Sequence, residues 1–159
     1  MLFLLKPVLC RAMQELNLPV YQFRLKKEAG LVFIFDEIRK KYVVLTPEEW
    51  VRQNFIRFLI EDKKYPASLI SVEVGLKYNQ LRKRADVLIY NRQGQPYLMI
   101  ECKAPGIKVS QETFHQIAAY NMSFKVNYLV VTNGMDHFCC RMDYAAETYE
   151  FLQMIPDFE

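Results

Sequence analysis

Glycine is scarce in this 159-residue chain, at five residues. That excludes a collagen-like or glycine-rich repeat, and the sequence has no internal period. Cysteine is scarcer still and unpatterned: Cys10, Cys102, Cys139 and Cys140 contain no CxxC. Neighbouring residues on a strand point to opposite faces, so Cys139 and Cys140 are poorly placed to share a metal. All four read as reduced thiols, and the protein as cytoplasmic. The two histidines, His115 and His137, have no partner at zinc-ligand spacing and read as surface or packing residues. No apolar run approaches the ~18 residues of a membrane span. The opening MLFLLKPVLCRA lacks a basic leading segment and is broken by Lys6 and Pro7, unlike a signal peptide. A start at Met13 would make residues 1–12 a dispensable extension. No GxxxxGK[ST] phosphate loop is present, so the chain carries no ATP site.

What is present is a foldable chain. Hydrophobic residues make up 52% and charged residues 25%, enough for one domain with a real core. Aromatics at 14% favour strands. The net charge of +3 hides an asymmetry. Residues 1–141 hold all 21 Lys and Arg but 13 of the 18 acids, and so carry +8. Residues 142–159 hold five acids and no base, a charge of −5. A basic body with an acidic tail is compatible with a polyanionic partner, but many proteins without one share it.

Alternation in VYQFRL predicts a strand over Val20–Leu25, followed by a polar turn, a strand over Leu31–Phe35 and a third over Tyr42–Leu45. Together they predict a small antiparallel meander. Thr46-Pro47-Glu48-Glu49 then opens a helix, with Thr46 as N-cap, Pro47 first and Glu49 closing a capping box. Val51, Phe55, Phe58 and Leu59 give its buried stripe. At 100° per residue Glu48 falls within that arc and Glu49 outside it, so Glu48 is expected to point inward. Strands are predicted over Ser71–Tyr78, Arg84–Tyr90 and Pro96–Lys103, with turns at Asn79-Gln80 and around Gly94. A Ser110-capped helix follows to Tyr120, with Phe114, Ile117 and Ala118 as its apolar face. The apolar NYLVVT predicts a buried strand ending at Asn133-Gly134, and Phe138–Met142 a final one. The fold class is α/β, with a mixed sheet covered by helices. One domain is expected, with an extension at 1–19, the meander at 20–45, the core at 46–142 and an acidic tail at 143–159.

Glu101-Cys102-Lys103 lies inside the apolar run YLMIECK. Glu101 and Lys103 share one face of the strand and Cys102 takes the other. Acid-x-Lys also occurs at Glu61-Asp62-Lys63 and Asp62-Lys63-Lys64, where a helix end makes it ordinary solvated charge. The strand setting is different, because an unpaired buried charge costs several kcal/mol. Asp86, on the preceding strand, supplies a second carboxylate. Two carboxylates on adjacent strands suit a hard cation such as Mg²⁺ or Mn²⁺, and a nearby lysine can stabilise charge on a phosphate. A structural salt bridge is the alternative. Lys77, Arg82, Lys83 and Arg84 precede Asp86 and read either as phosphate clamps or as a solvated turn. Trp50 and Glu73 read as structural.

The set RADVLIY, PYLMIECKAP and the helix bearing Gln116-Ile117-Ala118-Ala119-Tyr120 resembles the PD-(D/E)XK nuclease superfamily. More narrowly, TPEEWVRQNFIRFLI through YLVVTNG resembles the N-terminal nuclease domain of type I restriction enzyme restriction subunits, above all its short stand-alone relatives. The similarity spans roughly residues 20–142. It implies a restriction-endonuclease-like core and a metal-dependent DNA endonuclease. In that scheme Asp86 and Glu101 hold the metal, the Cys102 carbonyl adds an oxygen, and Lys103 positions or activates the attacking water. Gln116 supports catalysis and Tyr120, one turn on, contacts DNA. Glu48 assists the metal site, or is simply a negative charge at a helix N-terminus. Arg52, four residues on, pairs with Glu48 or contacts phosphate. The motif aspartate follows Ala85 where the family pattern has Pro. The implied partners are DNA, a divalent metal and a protein supplying specificity. The alternative is a non-catalytic or partner-dependent nucleic-acid-binding module of the same fold. Three gathered carboxylates, Glu48, Asp86 and Glu101, are expected to repel one another in the metal-free protein.

Overall fold

A computed structural model describes residues 13–78 and 81–158, apart from the side chains at 76–78, 81–83 and 123. Residues 1–12, with Cys10, and the expected Asn79-Gln80 turn lie outside the described residues.

Strands β1 (Leu25–Glu28), β2 (Leu31–Asp36) and β3 (Lys41–Val44) form an antiparallel sheet in that order. Glu28 pairs with Leu31 across Ala29 and Gly30, whose φ values of 49° and 76° make the two-residue turn of a tight hairpin. The meander is therefore present, but its first strand starts at Leu25 and runs through residues expected to turn. The alternation in VYQFRL has another cause. Phe23 meets Trp50 edge-on at 5.4 Å, and the Tyr21 hydroxyl donates to Asp62, so both side chains reach helix α1 (Pro47–Glu61) and its end.

Helix α1 begins as its sequence dictates, with Glu49 N–H donating to Thr46 Oγ1 at 3.1 Å and Pro47 in the first turn. The expected direction of its two acids is reversed. Glu49 is 7% exposed, whereas the Glu48 side chain is 46% exposed. A helical wheel assumes one covered side, but here the turn after β2 covers a second flank. Arg39 from that turn, with Arg52 and Gln53 of the helix, binds the Glu49 carboxylate. Thr46 N–H goes to the Val44 carbonyl at 3.1 Å, so only half of the capping box forms.

The larger sheet runs in chain order: β4 (Ile70–Tyr78), β5 (Leu81–Tyr90), β6 (Pro96–Cys102), β7 (Tyr128–Thr132), β8 (His137–Asp143) and β9 (Thr148–Leu152). Its neighbours are antiparallel except β6 and β7, which are parallel and joined through helix α2 (Gln111–Asn121). Helix α1 covers one face, with Val51, Phe55 and Leu59 against Val87, Ile89, Leu98, Ile100 and Val130. Helix α2 covers the other, with Phe114 and Ala118 against Leu88, Met99, Leu129 and Val131. Strand β7 is apolar throughout because both of its faces are covered. The acidic segment is more than a tail. It contributes β9, and Glu150 there pairs with Arg141 of β8 at 2.7 Å. No described helix is long and apolar enough to cross a membrane.

Candidate active site

The sheet opens around Asp86. Strands β4 and β5 pair at Val72↔Val87 and Val74↔Ala85, skipping Glu73 and Asp86 between them. On the other side the ladder with β6 begins only at Val87↔Ile100. Ala85 packs in the α2-side core while Val87 packs in the α1-side core, so the pleat breaks at Asp86. Glu73 has φ 55°, in the left-handed region that a residue with a side chain rarely occupies. The Asp86 carboxylate does the work of a missing ladder acceptor: Cys102 N–H donates to its Oδ2 at 2.8 Å. That bond brings the carboxylate to the end of β6, where Glu101 and Lys103 stand. Ile100 and Cys102 both pack in the α1-side core, which leaves Glu101 on the opposite face of β6.

Two arginines neutralise the acids on the α1 side. Arg52 is buried; its Nη1 donates to Glu49 and lies 3.7 Å from Glu73. Its Nη2 donates to Asp86 Oδ1 at 3.2 Å and to Glu48 at 3.4 Å. Burial opposes the charge on Arg52, but the carboxylates of Glu49 and Asp86 outweigh it and hold its pKa above the ordinary value. Arg39 binds Asp36, Glu73 and Glu49. The exposed Arg84 pairs with Glu73.

Glu101 is less well compensated. Among the described residues its paired cation is Lys103, with Nζ 3.7 Å away. Burial first, then the negative charge of Asp86, pushes its carboxyl up to about 7 against the partial relief of Lys103. The same two causes raise Glu48. Burial pushes the Cys102 thiol far up, so that side chain stays a neutral core group. The donor set, hard oxygens with surplus negative charge, fits a hard divalent cation. Among the described residues no three His, Cys, Asp or Glu side chains converge in ligand geometry. Two carboxylates completed by water oxygens are a common Mg²⁺ arrangement.

Residues 47–156 match the family described as type I restriction enzyme R protein N terminus. The chain belongs to that family. The matched span of this R-protein N-terminal member runs from the first residue of α1 past β9 and leaves the meander outside. Among solved structures it is similar to a fragment described as an HsdR subunit of a type I restriction enzyme from Vibrio vulnificus YJ016. That similarity has 22% identity and a TM-score of 0.49, covering 70% of this chain and 24% of the other, so the chain spans about a quarter of that length. No curated protein sequence matches it.

The site thus gathers Glu48, Asp86, Glu101 and Lys103 in one electrostatic neighbourhood. Gln116 and Tyr120 are exposed on α2. The side chains of Lys77, Arg82 and Lys83 lie outside the described ones. Arg52 lies inside the ion network and not at the surface where a phosphate would approach. Sequence reads Glu49 as a cap and Glu73 as structural, and gives Arg39 no role. Glu73 comes opposite Asp86 only through the β4–β5 pairing, which is a tertiary fact.

Proposed function

We propose that this domain is a restriction-enzyme-like deoxyribonuclease that hydrolyses phosphodiester bonds with Mg²⁺ or Mn²⁺. The observation that carries the reading is the bond from Cys102 N–H to Asp86 Oδ2, which ties that carboxylate to the residue after Glu101, with Lys103 Nζ 3.7 Å from Glu101. Asp86 and Glu101 would hold the ion, with the Cys102 carbonyl as a further oxygen. The ion would polarise water for in-line attack on phosphorus and offset charge on the phosphate. Lys103 is placed to stabilise that charge or take the water's proton. Glu48 orients water at the rim, and Gln116 supports the site from α2. Arg84, Lys77, Arg82, Lys83 and Tyr120 would contact the backbone and bases flanking the scissile bond. Family membership points to DNA as the polymer and to a protein partner as the source of sequence specificity.

The test is direct. Purified protein with Mn²⁺ should nick or cut plasmid, linear or single-stranded DNA, and Asp86→Asn or Glu101→Gln should abolish cutting. Wild type that binds neither Mn²⁺ nor Mg²⁺ and leaves all three substrates intact would refute the reading. One observation favours the second reading, a nucleic-acid-binding module that acts only with a partner: Arg52 already occupies Asp86 Oδ1. Calorimetric metal titration separates the two, since the module binds DNA without binding the ion.

A further inference from the structure

We propose that Arg52 is a positioning residue for Asp86, and that Arg39 sets Arg52 in place, so that the N-terminal meander completes the site. The inference rests on the metal-nuclease reading and assigns two residues that this reading leaves unexplained.

Arg52 is 4% exposed and its Nε is buried without a hydrogen-bond partner. A buried guanidinium with an unsatisfied donor is costly, and an apolar side chain would pack there at less cost. Its presence there calls for a task. Asp86 receives Arg52 on Oδ1 and the Cys102 N–H on Oδ2, one donor per oxygen. An ionised carboxylate offers about four lone-pair sites, so its orientation is locked while about half its acceptor capacity stays open to a cation.

The lock extends outward. Arg39 follows β2 in the turn to β3 and commits all three of its donor groups. Nε donates to Asp36 at 2.5 Å, Nη1 to Glu73 at 2.7 Å and Nη2 to Glu49 at 2.8 Å. Glu49 and Glu73 each touch both arginines. Asp36 is fully buried and anchors this end by accepting the N–H groups of Ile38 and Arg39 and the Gln53 amide. Anion and cation thus alternate from the meander to Asp86. The meander end of this chain lies outside the residues that define the family, 47–156.

The experiment compares wild type, Arg39→Gln, Arg39→Lys, Asp86→Asn and the Arg39→Gln/Asp86→Asn double variant by steady-state DNA cleavage, Mn²⁺ titration and thermal melting. Arg39→Gln should lower kcat by about 10- to 100-fold, as loss of a supporting partner does. KM for DNA should be unchanged, and Arg39→Lys should recover part of the rate. The melting-temperature losses of Arg39→Gln and Asp86→Asn should depart from additivity by about 2 °C or more, although the two residues share no bond. If Arg39→Gln does not fold, the cycle is run with Arg39→Lys. Additive losses with unchanged kcat would overturn the proposal. So would a raised KM with a shallower salt dependence, which marks a phosphate contact. Wild type that neither binds Mn²⁺ nor cuts DNA refutes the nuclease reading alone. The melting cycle needs neither and still decides whether Arg39 positions Asp86.

Discussion

Asp86, within β5, and Glu101, near the end of β6, are carboxylates on adjacent strands, yet their surroundings differ. Asp86 accepts from a guanidinium and a backbone N–H, whereas among the described residues Glu101 is paired with Lys103 alone, at 3.7 Å, in a buried setting. The expectation that the gathered acids repel one another therefore divides. The Glu101 carboxyl titrates near 7 in the fold instead of its ordinary 4.5, so the folded state holds an extra proton between those values. Stability then falls as pH rises through that window. Glu101→Gln should flatten the slope, melt above wild type at about pH 8 and be more stable there by on the order of 1–3 kcal/mol. Mn²⁺ should raise the melting temperature of wild type but not of Glu101→Gln. Asp86→Asn should go the other way and melt below wild type, because it leaves Arg52 with one anion fewer. Melts of both variants across pH check this, and Glu101→Gln melting below wild type at about pH 8 would make Glu101–Lys103 a structural pair.

Elements meet at the β7–β8 loop. The segment before the meander docks there: Asn17 N–H donates to the Gly134 carbonyl at 2.8 Å, and Trp50 Nε1–H on α1 donates to the Gln14 carbonyl at 3.0 Å. His137 Nε2 lies 2.9 Å from the Asn17 carbonyl, with Nδ1 2.7 Å from the Thr132 hydroxyl. Gly134 has φ 84°, and a Cβ there would sit 2.7 Å from Leu16 Cδ2 and 3.1 Å from Val51 Cγ2. Gly134→Ala should cost about 1–3 kcal/mol by urea unfolding, from the left-handed backbone and the crowding together. Adding Leu16→Ala should not restore wild-type stability, because the backbone part is independent of Leu16. Wild-type stability in Gly134→Ala would show that the loop does not need this conformation.

The molecule as a whole is closed by its C-terminal residues. The fully buried ring of Tyr65 packs on Phe158 at 5.3 Å, and its hydroxyl donates to the Pro156 carbonyl at 2.8 Å. Ile155 sits in the α1-side core. Ending the chain at Gln153 should cost about 3–5 kcal/mol, from lost apolar burial and an orphaned hydroxyl. Mn²⁺ affinity of the folded protein should not change. The closure lies at the far end of α1, and a 15-residue helix separates it from Glu48 by roughly 20 Å. Chemical denaturation with metal titration measures both quantities.

Local pattern was enough for much of this. The α1 and α2 caps, the strand cores, the position of Glu101 and Lys103 on one face, and Asp86 on the neighbouring strand follow from period and spacing. Those signals act over a few residues. Strand β9 was obscured by the acids around it, although Thr148 to Phe151 alternates as a strand does. The inward turn of Glu49 was not legible, because a helical wheel locates an angle but not the second surface that covers it. Nor was the link from Arg39 to Glu73, which are 34 residues apart. Sequence by itself determined which charges lie near strand ends and helix starts. Tertiary structure alone decided which of them are neutralised: the meander brings Arg39 over α1, α1 brings Arg52 to Asp86, and among the described residues Lys103 is the cation that pairs with Glu101. A charge's partner is chosen by distance in space, and distance along the chain carries almost no record of it.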